Sequence, residues 1–462
     1  MSGGARTRFR VALISIAAAL WFAGLMPKRS VEGAAASMHA TALSLARSHT
    51  RDLASSTLPP DPSSDASVAH DGHLFARQPI GAAVLYLPAA FATLELGPSL
   101  AGVPIDFFGL EGALLGAILC ALFFSFGRRW GDGFALGATA ALALSTGVLL
   151  SARIGDANIA AALLLFVVAR EMVCANSEPH LFAVVRVVLA GGALIVIDPI
   201  YSAPVSWILA FFILRSRMRL WSAIGVVLLL TAFSAIHLWH VHSAGIVRLS
   251  GGDFWLGLDG LLLSTGKSLL FFSPPLLLSP FALKWFARED RWAAYGLAIA
   301  AALGLCAVAT LPDWHGDPSF GPIRAVAFIP LLLMPLAGFL AQPVARARRR
   351  WAVGLAALGL GVQLLGAAFP PGDFLRIVTT LRTQTGASSW FHDPASEVHF
   401  IPQFSPLTGH AWMALGTLRP HYHMSAHPPW RLLFHDLTDL DEEQRKLRFD
   451  FALIGSGRAG VN

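Results

Sequence analysis

Residues 106–126 read DFFGLEGALLGAILCALFFSF, and the polar stretch GRRWGDG at 127–133 separates them from a second apolar run, FALGATAALALSTGVLL, at 134–150. A hydrocarbon core about 30 Å thick is crossed by roughly 20 residues of helix. In lipid, only a helix or a closed barrel satisfies every backbone polar group. The two runs therefore predict two membrane-spanning helices that are joined by a short basic loop.

The same pattern recurs along the chain as far as Phe369. Hydrophobic residues make up 55% of the 462 residues and charged residues 13%, about half of the roughly 25% charged share expected of a soluble domain. We predict an all-α polytopic membrane protein with about eleven transmembrane helices. The predicted spans are 11–26, 106–126, 133–151, 157–174, 181–198, 200–214, 220–240, 268–286, 292–311, 323–341 and 351–369.

Basic residues fall on every second connecting loop. With the N-terminus inside, the inside loops contain the basic stretches 6–10, 128–129, 215–219, 284–291 and 346–350, together with Arg170. The positive-inside rule then predicts a multi-pass protein of the inner (plasma) membrane, with a cytoplasmic N-terminus and an extracytoplasmic C-terminus. The formal charge of +6 reflects this topology. Because the basic residues are dispersed among loops, they do not indicate nucleic-acid binding.

The N-terminal apolar segment admits two interpretations. MSGGARTRFRVALISIAAALWFAGLM at 1–26 has the charged start and apolar middle of a signal peptide, with a small-residue cleavage site at Ala34–Ala36. It also fits a retained membrane anchor, and we favour the anchor. The three cysteines, Cys120, Cys174 and Cys306, lie within or at the ends of apolar runs, as small core residues do.

Two regions follow from this topology: a membrane domain at 1–369 and an extracytoplasmic C-terminal region at 370–462. Most polar sequence lies on the outer side, above all in a long first outer loop at 27–105. Within that loop, an Ala-rich stretch at 33–45 and an apolar stretch at 82–96 predict helices at the membrane interface. We predict that the C-terminal region folds against the membrane domain.

Charged residues of the first outer loop are candidates for chemistry at the lipid headgroups. Glu32 follows the first span by six residues, where a general base or a solvated loop carboxylate would lie. Asp71 precedes a glycine, and it is a candidate for catalysis, for a metal ligand or for a turn residue. Arg77 lies beside an apolar segment and suits a lipid phosphate, although snorkelling to the interface is the alternative.

Further outer-face charges lie beside predicted spans. Arg153 and Asp156 flank one turn, where they form either a functional pair or a mutual salt bridge. Lys267 and Arg324 are outer-face cations that suit either a lipid phosphate or the interface.

Two stretches contain residues of metal-binding type. Asp313, His315 and Asp317 fall within five residues beside Trp314, and they are weak candidates for a divalent cation, the only cofactor that the sequence indicates. The segment HYHMSAHPP at 421–429 contains three histidines, but it lacks a carboxylate at fixed spacing. Trp314 also fits an interfacial aromatic belt.

Four short motifs carry a resemblance to a known class. They are DGHLFARQPIG at 71–81, GKSLLFFSPPLLLSPF at 266–281, WHGDPSFGPIRAVAFIPLLLMPL at 314–336 and FSPLTGHAWMALG at 404–416. In this order, after one span and a long outer loop, they resemble bacterial integral-membrane glycosyltransferases of the GT-C superfamily. That class includes protein mannosyltransferase-like and aminoarabinose transferase-like enzymes.

The resemblance implies a reaction and assigns roles. It implies an enzyme that moves a sugar from a polyprenyl-phosphate carrier to a cell-envelope acceptor, outside the cytoplasm, with membrane lipid as a partner and the acceptor unspecified. An acidic residue of the first outer loop acts as the base in that class; Glu32 is our first choice and Asp71 our second. Asp156 would be a carboxylate that either binds the acceptor or supports the residues that do, and Arg77, Lys267 and Arg324 would bind the donor phosphate. A transporter or lipid flippase, and a catalytically silent scaffold of envelope biogenesis, remain as alternatives.

Overall fold

The structure is a computed structural model of the chain. It describes residues 3–24, 33–53, 66–68, 74–76, 79–97, 99–100, 103–175, 181–215, 224–225, 252–316, 319–343, 346–369, 371, 398–400 and 405–418. The predicted span at 220–240 lies outside the described residues except for 224–225.

Helices dominate the described residues. In chain order they are α1 Gly3–Gly24, α2 Gly33–Ser48, α3 Ile80–Leu85, α4 Leu87–Leu96, α5 Phe107–Gly127, α6 Asp132–Leu144, α7 Val148–Ile154, α8 Ala157–Cys174, α9 Leu181–Ile197, α10 Ser202–Arg215, α11 Phe254–Leu262, α12 Leu269–Phe272, α13 Ser279–Glu289, α14 Arg291–Ala309, α15 Ile329–Leu333, α16 Leu336–Ala341, α17 Arg346–Ala368 and α18 Pro406–Leu418. Short 3₁₀ segments cover Arg128–Trp130, Pro199–Tyr201, Pro274–Leu278 and Ile323–Phe328.

Two short antiparallel strand pairs accompany the helices in the first outer loop. β1 (Ala66–Val68) pairs with β2 (Leu74–Ala76), and β3 (Ser99–Leu100) pairs with β4 (Val103–Pro104). The predicted helix at 33–45 is present as α2, but it is packed against protein: Met38 and Ala42 are fully buried. The predicted stretch at 82–96 consists of α3 and α4, which meet at Tyr86.

Membrane-spanning helices are present, so the protein is a multi-pass membrane protein. Four helices among the described residues are long and apolar enough to cross a bilayer, and α6 with α7 makes a fifth if that bent pair is one span. The four are Phe107–Trp130, Ala157–Cys174, Arg291–Ala309 and Arg348–Ala368. The count of eleven therefore stays a prediction.

Two of the predicted spans are broken, although their apolar runs are continuous in the sequence. The run at 133–151 bends by 59° between α6 and α7. Neighbours satisfy the polar groups at this bend, because Ser145 Oγ donates to Ala356 O at 2.7 Å and Gly147 N donates to Ser273 Oγ at 3.2 Å. The run at 268–286 is interrupted by the 3₁₀ segment Pro274–Leu278, since proline has no N–H to continue the helix.

Basic loops meet at one end of the helix bundle, which we call the basic end. Three contacts between distant loops define it: Arg10 with Asp132, Trp130 Nε1 with Glu289 Oε2 at 3.3 Å, and Arg215 with Asp290 through two hydrogen bonds of 2.8 and 2.7 Å. These basic loops therefore lie together at one end of the bundle, as their alternation in the sequence predicts.

The predicted outer loops meet at the other end, which we call the opposite end. There His39 contacts Gly155, Lys267 contacts Ser319, and Arg324 contacts Asp198. Each of these contacts joins residues far apart in the sequence. Candidate site residues from several loops are thereby brought to the same end of the bundle.

The described part of the C-terminal region packs on the membrane domain, as predicted. Ser405 Oγ donates to Thr265 O at 2.8 Å, and Gly266 N donates to His399 O at 2.8 Å. Helix α18 packs beside α17, with His410 Nδ1 3.2 Å from Leu365 O. The C-terminal region therefore contacts the loop that precedes α12.

Small residues permit close helix crossings at the opposite end. A Cβ at Gly112 of α5 would lie 2.5 Å from Ala152 O of α7, and a Cβ at Gly116 would lie 2.8 Å from the Ala152 side chain. Close backbone approach through glycine is a usual way to pack membrane helices. The α5–α7 crossing fixes the turn that follows α7, where Arg153 and Asp156 lie.

The orientation of the bundle is our first testable prediction. Topology reporters fused after residues 129, 217 and 348 should report the cytoplasm, and a reporter fused after residue 372 should report the far side, because cation-rich short loops stay inside. Alkaline phosphatase fusions report an extracytoplasmic position and fluorescent-protein fusions report a cytoplasmic one, so the two reporters together test each position. A cytoplasmic signal after residue 372 would contradict the orientation.

Candidate functional site

The turn between α7 and α8 is the centre of the candidate site. Gly155 has φ of +63°, and a Cβ there would lie 2.2 Å from Phe108 O, so this position requires glycine. His39 Nε2 lies 2.9 Å from Gly155 O, and Tyr86 OH donates to Asp156 O at 2.8 Å. Three elements of the chain therefore hold the backbone of one turn.

Asp156 caps helix α8 with one of its two carboxylate oxygens. Oδ1 accepts hydrogen bonds from Ser151 Oγ at 2.5 Å, Asn158 N at 2.6 Å and Ile159 N at 3.2 Å. Oδ2 is buried and has no hydrogen-bond partner among the described residues. Burial raises the pKa of this carboxyl to about 6. The cap fixes the carboxylate and leaves one oxygen for another contact.

His39 links the first outer loop to this turn. Its ring stacks on Phe108, with ring centroids 4.1 Å apart. Burial lowers the pKa of His39, so the neutral ring is favoured. A neutral ring whose Nε2 carries the proton donates to Gly155 O. Helix α2 is thus anchored beside Asp156.

Arg324 lies in a second cluster at the opposite end. Its guanidinium pairs with Asp313, and its Nη1 lies 3.8 Å from Asp198 Oδ2. Tyr201 follows Asp198 closely, and its hydroxyl donates to Asn158 Oδ1 at 3.2 Å. Since Asn158 belongs to the first turn of α8, the Arg324 cluster lies beside the turn that contains Asp156.

Lys267 is fully buried beneath the loop that precedes Arg324. Its Nζ donates to Ser319 O at 2.7 Å, Ser319 Oγ at 3.1 Å and Gly321 O at 3.3 Å. Gly321 has φ of +82°. The ammonium group therefore supports a tight turn of the loop at 319–321.

The structure describes two of the three residues predicted to bind a metal ion, Asp313 and His315. Asp313 pairs with Arg324, while the His315 ring lies 4.7 Å from the His399 ring and 5.5 Å from the Trp314 ring, measured between centroids. No group of three or more His, Cys, Asp or Glu side chains that could hold a metal ion occurs among the residues that the structure describes. Asp317 lies outside them.

Several predicted residues lie outside the described ranges. They are Glu32, Asp71, Arg77 and the three histidines of the segment at 421–429. In the sequence, Glu32 directly precedes α2, and Asp71 and Arg77 flank strand β2. Both of these neighbouring elements are described, and α2 reaches the Asp156 turn through His39.

The residues that build the turn were hard to predict from the sequence. His39, Tyr86, Asn158 and Tyr201 act through contacts with residues 43 to 116 positions away. The one available signal was a histidine in an Ala-rich helix, because a buried polar residue needs a partner.

Comparison with known proteins identifies the fold. No protein-family model matches the chain, and no curated protein sequence matches it. Solved structures show which fold the chain adopts. The chain is similar to the crystal structure of the aminoarabinose transferase ArnT from Cupriavidus metallidurans in the apo state, with a TM-score of 0.50, 16% identity, and coverage of 99% of this chain and 78% of that one. The same ArnT bound to undecaprenyl phosphate gives a TM-score of 0.48 at 15% identity, with coverage of 97% and 77%.

A substitution of Lys267 tests its contacts. Lys267→Met should lower the stability of the protein by about 1–3 kcal/mol, because buried oxygens would lose their donor. Lys284→Met is the matched control, since Lys284 is exposed at the basic end. Thermal unfolding of the detergent-purified proteins should show a lower Tm for Lys267→Met alone. Equal Tm values for both variants would contradict the role of Lys267.

Proposed function

We propose that this protein is an inner-membrane glycosyltransferase that moves a sugar from a polyprenyl-phosphate carrier to an acceptor of the cell envelope. The observation that carries the proposal is the ArnT-like fold over 99% of the chain, with a buried carboxylate at the end opposite the basic loops. ArnT is an aminoarabinose transferase. The fold and the site together favour transfer over transport.

The reaction makes modest demands on the protein. An acceptor hydroxyl attacks the anomeric carbon of the donor sugar, the carbon–oxygen bond to the carrier phosphate breaks, and the configuration inverts. The carrier leaves as a phosphate anion, so the leaving group needs no proton. The protein must align the two substrates, remove the hydroxyl proton and stabilise negative charge.

Roles follow from the placement of the residues. Glu32 is proposed as the base, with Asp71 as second choice, because both belong to the loop that α2 anchors at the Asp156 turn. Asp156 would accept a hydrogen bond from the acceptor through Oδ2, the buried oxygen that has no hydrogen-bond partner among the described residues. Arg77 and Arg324 remain proposed donor-phosphate ligands, and a divalent cation remains a candidate cofactor.

The base assignment is tested by turnover. Purified protein in lipid nanodiscs should transfer sugar from a panel of polyprenyl-phosphate sugars, and Glu32→Gln should lose about 10²–10⁴-fold in kcat, because general-base catalysis typically contributes that much. Glu95→Gln, an exposed carboxylate at the end of α4, is the matched control.

Three results discriminate among the proposals. Full turnover in both Glu32→Gln and Asp71→Asn would reject the base assignment. A wild type that moves the intact lipid between leaflets without breaking it would favour a flippase. A wild type that is inert toward every donor would favour a scaffold.

The pH profile provides a separate test of Asp156. Its carboxyl has a pKa raised by burial to about 6, so it is mostly ionised at pH 7 and mostly protonated at pH 5. If the ionised form accepts the bond from the acceptor, kcat/KM should fall as the pH falls through about 6. Asp156→Asn should lose this acid limb, whereas Glu95→Gln should keep it. An identical acid limb in Asp156→Asn would assign the titration to another group.

A further inference from the structure

Arg153 differs from the other partly buried arginines of the described residues. There are six of these, and five have an acidic or aromatic neighbour: Arg51 with Phe75, Arg128 with Asp132, Arg170 with Glu171, Arg215 with Asp290 and Arg324 with Asp313. Arg153 has neither kind of neighbour among the described residues, and its Nε is buried without a hydrogen-bond partner.

The adjacent carboxylate does not neutralise Arg153. Asp156 is three residues away, but its Oδ1 is held by Ser151 and by the first N–H groups of α8, and its Oδ2 has no described partner. The salt bridge that the sequence offered as an alternative for this turn is therefore absent between these two described residues. The Arg153 guanidinium and Asp156 Oδ2 thus belong to the same turn, and they form neither a salt bridge nor a hydrogen bond with each other.

The backbone of the turn is held without the Arg153 side chain. His39 contacts Gly155 O, Tyr86 donates to Asp156 O, and α5 packs so closely that a Cβ at Gly109 would lie 3.0 Å from Arg153 O. Asp156 Oδ1 caps α8, but Asp156 Oδ2 and the Arg153 Nε make no hydrogen bond among the described residues. A buried charge without a partner is costly, and at membrane depth such a group usually serves function.

Two of the three cations proposed from sequence, Lys267 and Arg324, already have partners; the third, Arg77, lies outside the described residues. Lys267 is enclosed and donates to oxygens of Ser319 and Gly321. Arg324 lies between Asp198 and Asp313, so this cluster has a net charge of −1 by formal counting. Neither cation offers as much uncompensated positive charge to an anion as Arg153 does.

We propose that Arg153 binds the phosphate of the polyprenyl-phosphate donor, while Asp156 Oδ2 accepts a hydrogen bond from a hydroxyl of the same bound complex. This inference rests on the proposed function and adds a further residue to those proposed to bind the donor. A guanidinium presents two parallel N–H donors to a phosphate, which a lysine ammonium does not. A bound phosphate would be the negatively charged partner that Arg153 lacks among the described residues.

Binding of polyprenyl phosphate to nanodisc-embedded protein tests the assignment without any need for turnover. Arg153→Gln should weaken binding by about tenfold or more, because a charge-assisted bidentate contact is lost. Arg153→Lys should weaken binding less, since it keeps the charge and loses the paired geometry. Arg288→Gln, an exposed arginine at the basic end, should bind as the wild type does. Neutral polyprenol should bind equally to all four proteins.

The outcomes separate this inference from the proposed function. A wild type that does not bind polyprenyl phosphate would overturn both. A wild type that binds, together with an Arg153→Gln variant that binds equally, would overturn the role of Arg153 alone. If Arg153→Gln does not fold, as judged by its Tm, equal binding by Arg153→Lys and the wild type overturns the bidentate contact. Inorganic phosphate that competes as strongly as the lipid would assign the site to free phosphate and reject the lipid donor.

Discussion

The constraint on which this structure depends is that a backbone polar group in the membrane must find its partner inside the protein. Broken helices meet this constraint through side chains of neighbouring helices. Gly147 N donates to Ser273 Oγ at 3.2 Å, and Gln363 Nε2 of α17 donates to Phe272 O at 2.6 Å. The breaks are thereby fixed, and they allow the chain to leave helical geometry where the opposite end of the bundle forms its loops.

The two ends of the bundle differ in how their charged side chains are paired. At the basic end, arginines pair with acidic residues or stack on aromatic rings, as Arg129 does with its guanidinium 3.8 Å from the Phe126 centroid and 3.9 Å from that of Trp130. At the opposite end, Arg324 pairs with Asp313, but the partly buried Arg153 has no acidic or aromatic partner among the described residues, and Asp156 Oδ2 accepts no hydrogen bond there. The proposal assigns these two groups to a ligand, and it therefore assigns the chemistry to the opposite end.

Local sequence pattern predicted the parts of this structure that depend on composition. The runs at 106–126, 157–174, 292–311 and 351–369 correspond to helices α5, α8, α14 and α17, because twenty apolar residues in lipid have few alternatives. The breaks at Ser145–Gly147 and Pro274–Leu278 were not predicted as such, since apolar composition continues through them. Their partners lie as far as 211 residues away. The same limit applies to the site: Asp156 was found from its charge beside a span, but the supports from His39 and Tyr86 are tertiary contacts without a local signature.

Two described parts of the first outer loop are tied to the turn after α7. His39 of α2 contacts Gly155 O, and Tyr86 at the end of α3 donates to Asp156 O, so α2 and α3 both help to position the residue that bears the Asp156 carboxylate. The loop residues proposed as bases flank elements of this same loop. In the proposed reaction, this support from α2 and α3 would hold the carboxylate of Asp156 in place while the donor lipid enters, and positioning of reactants contributes to the rate of group transfer. The closest backbone approach at this turn is at Gly155, where a Cβ would lie only 2.2 Å from Phe108 O and no side chain would fit.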